Sequence, residues 1–274
     1  IILSQLKFGE CQPNITSISC IGGLDQDEIG NSFFRQKYNT TSHCSLTIVV
    51  LDSFSTDKTP EICRSKGVRF YQQKFIDYGS QKQDAVKLCR FDHILSVDAD
   101  EILDEELVAA ILGEKQKGLA SCYILNRKTY YCGQWIRHCG WYPDLKIRLW
   151  HKAHAHWNHN KLHEVVDLID PNAKPLKLNG HIDHYSYRTV SDHVFQLENF
   201  ANLFAEDYFA KGIKSSFSKK FFSPVWKFFK MYIFKAGVLD GKYGFLICKR
   251  SAYGVYLKYK RLELLQLTKK QKLS

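Results

Sequence analysis

In the first half of the chain, short apolar runs alternate with amphipathic stretches. Residues 46–51 (LTIVVL) are apolar and β-branched without a polar alternation, which is typical of a strand buried on both faces. The predicted elements are strands at residues 46–51, 68–71 and 92–97 and helices at residues 60–66, 80–88 and 103–117. Because strands and helices alternate, we predict an α/β fold with a Rossmann-like, mostly parallel sheet and flanking helices.

The second half changes character along its length. Residues 145–150 alternate apolar and basic side chains, as a half-exposed strand does, and residues 191–211 repeat apolar positions at helical spacing. Beyond residue 210 the chain becomes aromatic and rich in lysine. We therefore predict a catalytic domain at residues 1–210, with residues 1–45 atypical, and a helical, basic aromatic extension at residues 211–274.

The charge of the chain is concentrated in this extension. The net charge is +11 overall, and residues 211–274 hold 16 Lys and Arg against 2 Asp and Glu, beside 13 aromatic residues. Lysines alternating with Phe228, Phe229, Met231 and Phe234 fit a helix lying in a membrane interface. Single-stranded nucleic acid also suits such a composition, but no nucleic-acid motif accompanies it. Packing of the aromatic rings against the rest of the protein is the third reading.

The cysteines and the histidines of the chain bear on its compartment and on metal binding. The nine cysteines show no CxxC pair, so we expect reduced thiols and a cytoplasmic protein, peripheral on the inner face of the cytoplasmic membrane. No apolar run of about 18 residues predicts a transmembrane span. Five histidines between residues 151 and 163 have irregular spacing, which disfavours a zinc site. The chain starts at Ile1 with Met231 as its one methionine, so an altered N-terminus is expected.

Carboxylates follow two of the predicted strands. Asp52 comes directly after residues 46–51, and Asp98 and Asp100 follow residues 92–97. Ligands of such sheets bind beyond the carboxyl ends of the strands, so these side chains define one candidate site. Asp98 and Asp100 can share a hard cation, Mg²⁺ or Mn²⁺. The alternative for Asp98 and Asp100 is that they cap the next helix together with Glu101. The alternative for Asp52 is a role as a turn residue.

Five segments in fixed order carry a resemblance to a known family. Residues 50–59, 78–82 and 97–103 look like family-2 glycosyltransferases with a GT-A fold. Residues 140–150 and 162–164 are similar to the lipopolysaccharide-core branch, which includes β-1,4-glucosyltransferases. The resemblance covers residues 46–260.

The resemblance implies a role for each candidate residue in the donor site. Asp52 is expected to contact the nucleotide base, and Lys82 to lie near the diphosphate. Asp98 is expected to bind the nucleotide sugar and, with Asp100, the metal. Arg148 is expected to hold a phosphate, or else to pair with a carboxylate.

An inverting enzyme also needs a base to take the proton of the acceptor hydroxyl. Glu164, beside His163, is the first candidate, and Asp144 is the second. A surface carboxylate is the alternative for Glu164, and a turn residue is the alternative for Asp144.

The function that this resemblance implies is metal-dependent, inverting transfer of a hexose from a nucleotide sugar. UDP-hexose is the expected donor and a lipid-linked glycan such as lipopolysaccharide core the expected acceptor, with the membrane surface as a partner. The chain departs from the family before residue 46, where the usual Asn-Glu loop is missing. An altered N-terminus is one explanation, and a variant loop in which Asp25 or Glu28 does the usual job is the other. An inactive, membrane-associated member with a lost donor loop is therefore the alternative, and a nucleic-acid-binding protein is a further one.

Overall fold

The computed structural model describes residues 19–25, 45–158 and 164–271. Contacts divide the chain into two compact units, the first formed by residues 1–127 and 144–184 and the second by residues 128–143 and 185–274. This division differs from the predicted boundary at residue 210, because the helix before that residue packs with the C-terminal helices. Within the described residues, no helix has the length and apolar character needed to cross a membrane.

The predicted strands and helices of the first half are all present. In chain order the elements are β1 (Ser19–Asp25), β2 (Ser45–Asp52), α1 (Thr59–Ser65), β3 (Arg69–Gln72), α2 (Tyr78–Lys87), β4 (His93–Asp98), β5 (Glu101–Leu103), α3 (Glu105–Lys117), β6 (Cys122–Tyr131), β7 (Gln134–Ile136), β8 (Asp144–His151), β9 (Ala155–Trp157), β10 (Val166–Leu168) and β11 (Leu176–Tyr187). One boundary differs, because α3 begins after its cap Asp104, whose side chain accepts a hydrogen bond from the Leu107 amide at 2.9 Å. Glu101 therefore lies in β5 and does not cap the helix.

The described strands form a nine-stranded mixed sheet and a separate β9–β10 pair. The order in the large sheet is β3-β2-β1-β4-β8-β6-β11-β5, with β7 beside β6. The β2–β3 pair is parallel, and β1 is antiparallel to both β2 and β4. Consequently β2, β3 and β4 run in the same direction, and their carboxyl ends lie at the same edge. The predicted parallel character belongs to these strands, which helical crossovers connect; β8 pairs antiparallel with both β4 and β6.

Both faces of this sheet are covered by apolar side chains, as the unbroken apolar runs predict. On one face Val49, Leu51 and Ile94 pack with Ala85 and Val86 of α2. On the other face the core is made by β4, β6, β8 and β11 packed against α3, with Leu95, Val97, Leu107, Ile111, Tyr123 and Leu149 as members. Successive residues of β4 thus point to opposite faces of the sheet. This alternation also sets the direction of the side chains at the carboxyl end of the strand.

One strand contradicts its sequence pattern. The alternation in residues 145–150 predicted outward basic side chains, yet Arg148 is 4% exposed while Leu145 is 45% exposed. The prediction of a half-exposed β8 was wrong at Arg148, because the carboxylates of Asp98 and the fully buried Glu101 pair with its charge.

The second unit is mainly helical. It contains α4 (Val190–Ala210), α5 (Phe217–Phe229), a π-helical turn (Lys230–Phe234), a 3₁₀ turn (Gly237–Asp240) and α6 (Gly241–Gln271). Its core includes Tyr131, Ile136, Met231 and Ile247. The predicted C-terminal helical extension is confirmed. Six cysteines carry free thiols, namely Cys63, Cys89, Cys122, Cys132, Cys139 and Cys248.

Candidate functional site

The carboxylate of Asp98, the last residue of β4, lies between two buried cations. Lys82 Nζ is 3.0 Å from Asp98 Oδ1, and Arg148 Nη2 is 3.0 Å from Asp98 Oδ2. Lys82 comes from α2 and Arg148 from β8, and they are 3% and 4% exposed. A carboxylate at a strand end, a helix and a neighbouring strand therefore meet in one cluster.

Arg148 extends this cluster along the sheet. Its Nη2 also lies 3.0 Å from Glu101 Oε1, and the same carboxylate is 3.1 Å from Arg127 Nη1. Arg127 in turn pairs with Asp144 at 2.7 Å. Glu101 is fully buried and also accepts a hydrogen bond from the Asp98 amide at 2.9 Å. Buried charges are tolerated when they are paired in this way, so the residues hold one another in place.

Lys82 connects the cluster to Glu164. Its Nζ is 3.0 Å from Glu164 Oε1, and the Glu164 side chain is 22% exposed. The indole ring of Trp157 lies against both cations, 4.7 Å from Lys82 Nζ and 5.5 Å from the Arg148 guanidinium carbon. The negative face of the ring adds a further attraction for these charges.

The electrostatics of Asp98 reflect its two neighbours. Burial acts to raise the pKa of the Asp98 carboxyl, but Lys82 and Arg148 outweigh it, so the pKa is held far below its usual range. The pKa of Arg148 is raised in spite of burial, because Glu101 and Asp98 stabilise its charge. Asp98 is therefore ionised at neutral pH, in a setting that already supplies positive charge.

Asp100 lies apart from these cations and pairs with a histidine. Its Oδ2 is 3.1 Å from His184 Nε2 of β11, and its side chain is 49% exposed. Burial and Asp98 act to raise the pKa of Asp100, yet contact with His184 lowers it.

A half-exposed carboxylate beside an imidazole fits a divalent cation that keeps water or phosphate ligands. Asp98, by contrast, has both of its oxygens at Lys82 and Arg148. Among the described residues no group of three or more His, Cys, Asp or Glu is arranged around one metal position. Of the two predicted metal aspartates, Asp100 is thus the one whose carboxylate is not held by a cation, and the binding of a metal stays a prediction.

Asp52 is fully buried at the end of β2. Its carboxylate accepts hydrogen bonds from the Ser55 amide at 2.9 Å and from Gln72 Nε2 at 3.0 Å. It thus shapes the loop after β2, a role that agrees with the turn alternative. The assignment of Asp52 to the nucleotide base stays a prediction.

Of the predicted site residues, the structure links Lys82, Asp98, Arg148, Glu164 and Asp144 in one ion-pair network. The sequence did not identify Arg127, Trp157 and His184 as members of the site, nor Glu101 as a buried partner. Arg127 pairs in register with Asp144 across β6 and β8, a neighbour relation that the sequence alone does not show. His163 and Glu28 lie outside the described residues, and Asp25 is described as the last residue of β1.

Comparison with known proteins places this site in a family. Residues 28–173 match Glycosyl transferase family 2, and this match spans more than half of the 274-residue chain. The chain therefore belongs to glycosyl transferase family 2, and the predicted α/β fold of GT-A type is confirmed.

Curated relatives agree with the family. An uncharacterized glycosyltransferase of Rickettsia typhi is 26% identical over 242 residues, which cover 84% of this chain and 82% of the relative. The lipopolysaccharide core biosynthesis glycosyltransferase LpsC of Rhizobium meliloti is 24% identical over 77% of this chain and 80% of its own length. The chondroitin synthase of Escherichia coli is 36% identical over 89 residues, 30% of this chain. The protein is thus a transferase related along most of its length to glycosyltransferases.

Proposed function

We propose that the protein transfers a hexose from a nucleotide sugar, with UDP-hexose as the donor, to a lipid-linked saccharide such as lipopolysaccharide core. The observation that carries this proposal is the pair of buried cations, Lys82 and Arg148, held by Asp98 at the carboxyl edge of the sheet. The name of the Rhizobium meliloti relative supports the acceptor class. We propose that the protein works at the inner face of the cytoplasmic membrane.

Lys82 and Arg148 suit the diphosphate of the donor. Arg148 has two further nitrogens, Nε and Nη1, that are buried and have no hydrogen-bond partner among the described residues. Guanidinium and ammonium groups in a site with little water stabilise the charge that develops on a leaving diphosphate. Asp52 holds the loop after β2 on which the base and ribose would lie.

Glu164 is the proposed base. The acceptor hydroxyl oxygen attacks the anomeric carbon, its proton passes to Glu164, and the bond from that carbon to the diphosphate breaks. Attack opposite the leaving group inverts the anomeric centre. Asp144 suits this task less well, because Arg127 and Lys146 pair with its two oxygens at 2.7 and 3.3 Å.

A divalent cation, Mg²⁺ or Mn²⁺, is part of the proposal. Asp100 with His184, and Asp98 as the adjoining carboxylate, would hold it. When bound, such an ion neutralises charge on the leaving diphosphate.

The test is a transfer assay that detects released nucleoside diphosphate. The purified protein is given a panel of nucleotide sugars, a lipid-linked saccharide and either Mg²⁺ or Mn²⁺. We expect transfer with one donor, loss of transfer in EDTA, and loss in Glu164→Gln with Asp144→Asn much less affected. Proton NMR of the product gives the configuration of the new linkage.

Several outcomes contradict the proposal. Full activity in EDTA would contradict the metal requirement. A retained anomeric configuration would contradict the inverting mechanism, and an active Glu164→Gln variant would contradict the assignment of Glu164 as the base. A folded sample that binds no nucleoside diphosphate by calorimetry and transfers no sugar favours an inactive family member instead.

A further inference from the structure

The helix α5 turns its apolar face outward. Its outer side carries five large apolar side chains that are between 43% and 67% exposed, namely Phe221, Phe222, Val225, Trp226 and Phe229. Its less exposed side includes Lys220, Ser223 and Lys227, and Lys220 pairs with Glu263 of α6 at 2.6 Å. A helix on the surface of a globular protein normally buries its apolar face, so the orientation of α5 is the reverse of the usual one.

The exposed apolar surface continues beyond α5. Ile233, Phe234, Val238 and Leu239 are between 48% and 69% exposed, and the Phe234 ring lies 5.8 Å from the ring of Trp226. Phe228, Met231 and Tyr232 pack inside the second unit, so part of the segment does form core. A contiguous apolar surface of this kind marks an interaction site.

Lysines surround this surface. The half-buried Lys227 and the exposed Lys230 and Lys249 have no ion-pair partner in the part of the chain that the structure describes. Burial, together with the like charges of Lys230 and Lys258, lowers the pKa of Lys227. A group of cations that repel one another is suited to an anionic partner.

A groove opens between α5 and α6 beside the same surface. It has a volume of about 340 Å³ and an almost wholly apolar lining, made by Phe221, Val225, Phe228, Ala252, Tyr253 and Tyr256. Lys220 and Lys249 supply its charged groups. The volume is at the lower end of the range of about 300–1,000 Å³ that is typical of small-molecule sites. It suits a slender apolar ligand.

We propose that the outer face of α5 inserts into an anionic phospholipid bilayer and that the groove takes an acyl chain of one of its lipids. Aromatic and aliphatic side chains would enter the boundary of the acyl region, while the lysines reach the headgroups. The inference deepens the proposed function and rests on it for its biological purpose, since a lipid-linked acceptor resides at such a surface.

Vesicle flotation tests the insertion. The full chain is mixed with vesicles of phosphatidylglycerol and phosphatidylcholine, or of phosphatidylcholine alone. We expect flotation with the anionic vesicles and at least a tenfold weaker binding of the double variant Phe222→Glu/Trp226→Glu. The control is Ile169→Glu, which changes a 57% exposed apolar residue of the first unit and should bind within twofold of the parent.

Circular dichroism should show that both variants are folded, because the substituted side chains are exposed. The insertion is overturned if the parent protein stays at the bottom of the gradient with anionic vesicles. It is equally overturned if the double variant floats as the parent does.

Photo-crosslinking tests the groove. Phosphatidylglycerol with a diazirine on its acyl chain should label the peptide that contains Tyr253 and Tyr256. Ala252→Trp fills the groove and should reduce this label at least tenfold, with flotation within twofold of the parent. Insertion itself should label the peptide of α5, so the acyl-chain site is overturned if the peptide with Tyr253 and Tyr256 stays unlabelled or if Ala252→Trp leaves its label unchanged.

Other occupants give different results. A dimer in light scattering without lipid, lost in Phe222→Glu, would assign the surface to a second copy of the chain and overturn the proposal. So would tight binding of a single-stranded oligonucleotide without any binding of vesicles. These readouts need no sugar donor, so failed flotation with intact transfer to a water-soluble acceptor counts against this inference alone. Intact flotation without transfer counts against the proposed function alone.

Discussion

At the scale of single residues, Lys82 is the side chain on which the site depends. It pairs with both Asp98 and Glu164 and lies on the ring of Trp157. We expect Lys82→Met to lower the rate of transfer at least 100-fold, because the diphosphate loses a buried counter-charge, an effect of about 3 kcal/mol. Rates at saturating and at low donor concentration measure it.

Lys87 offers a matched control on the same helix. It pairs with Asp84 at 2.7 Å, but its side chain is 66% exposed, and exposed pairs of this kind contribute about 0–1 kcal/mol. Lys87→Met should stay within twofold of the parent protein. Equal losses in the two variants would show that general charge, and not the position of Lys82, matters.

His184 is the residue that should report on the metal. Since its Nε2 contacts Asp100, we expect His184→Gln to raise the Mn²⁺ concentration for half-maximal transfer about 10- to 100-fold. The control is His181→Gln on the same strand, which contacts Asp104 at the start of α3 and should change stability alone. A metal dependence that is identical in both variants contradicts the role of His184.

The predictability of these residues follows from where their partners lie in the chain. Asp98 and Lys82 were recognisable because each sits in a local motif beside a strand or a helix. Arg148 was named as a site residue through the resemblance, but its burial was not predicted, since the alternating pattern of β8 does not show that Glu101, 47 residues earlier, is buried beside it. His184 and Arg127 became visible as site residues through the pairing of β11 with β5 and of β6 with β8.

At the scale of elements, the close contact between β11 and the start of α3 is a point of high sensitivity. Gly180 has φ +86°, and a Cβ there would lie 2.2 Å from the Leu107 amide nitrogen. We expect Gly180→Ala to destabilise the protein by roughly 2–4 kcal/mol, because both backbone strain and overlap with the helix are introduced. Denaturant unfolding measures the change.

Gly118 provides the comparison for this prediction. It has a similar φ of +90° and nothing within 4 Å of the added Cβ. Gly118→Ala should therefore cost about 1–2 kcal/mol from strain alone. Equal losses of stability in the two variants would mean that α3 moves away from the added Cβ at little cost in free energy.

Elements were more predictable than their arrangement. The apolar run at residues 46–51 and the apolar run that ends at Asp98 predicted β2 and β4, because strands covered on both faces carry no polar alternation. The antiparallel strands β6 and β8 were harder to place, since their partners are distant in sequence. The sequence predicted a membrane-facing helix in the extension but placed Phe228 and Met231 on its outer face, whereas both pack in the core of the second unit. An amphipathic pattern gives two faces without saying which one meets the protein.

At the scale of the whole molecule, each unit contains a histidine that resists protonation. Burial lowers the pKa of His193 to about 4 in the second unit, and burial together with His151 lowers that of His93 in the first. The unfolded chain then binds more protons between its pKa of about 6.5 and 4, so stability falls as pH decreases through this range. The loss from His193 should be at most about 3 kcal/mol.

Thermal unfolding at pH 7.5 and pH 5 checks this expectation. His193→Gln should show a smaller decrease of Tm between the two pH values than the parent does, although it also loses the contact with Tyr131 at 2.9 Å. The relevant quantity is the difference between the two proteins in the decrease of Tm from pH 7.5 to pH 5, because many carboxylates contribute equally to both. An equal decrease in the two proteins would contradict the lowered pKa of His193.

The two cations around Asp98 also bear on turnover. Before the donor arrives, Asp98 and Glu164 occupy the positive groups that a diphosphate needs, so in the proposed reaction part of the binding free energy is spent on separating these pairs. When the nucleoside diphosphate leaves, the same carboxylates can return to Lys82 and Arg148 within about 3.0 Å. In the proposed reaction, product release, a step that limits many enzymes, would thereby be favoured. The ion pairs that weaken the binding of the donor would therefore speed the return of the enzyme to its ligand-free state.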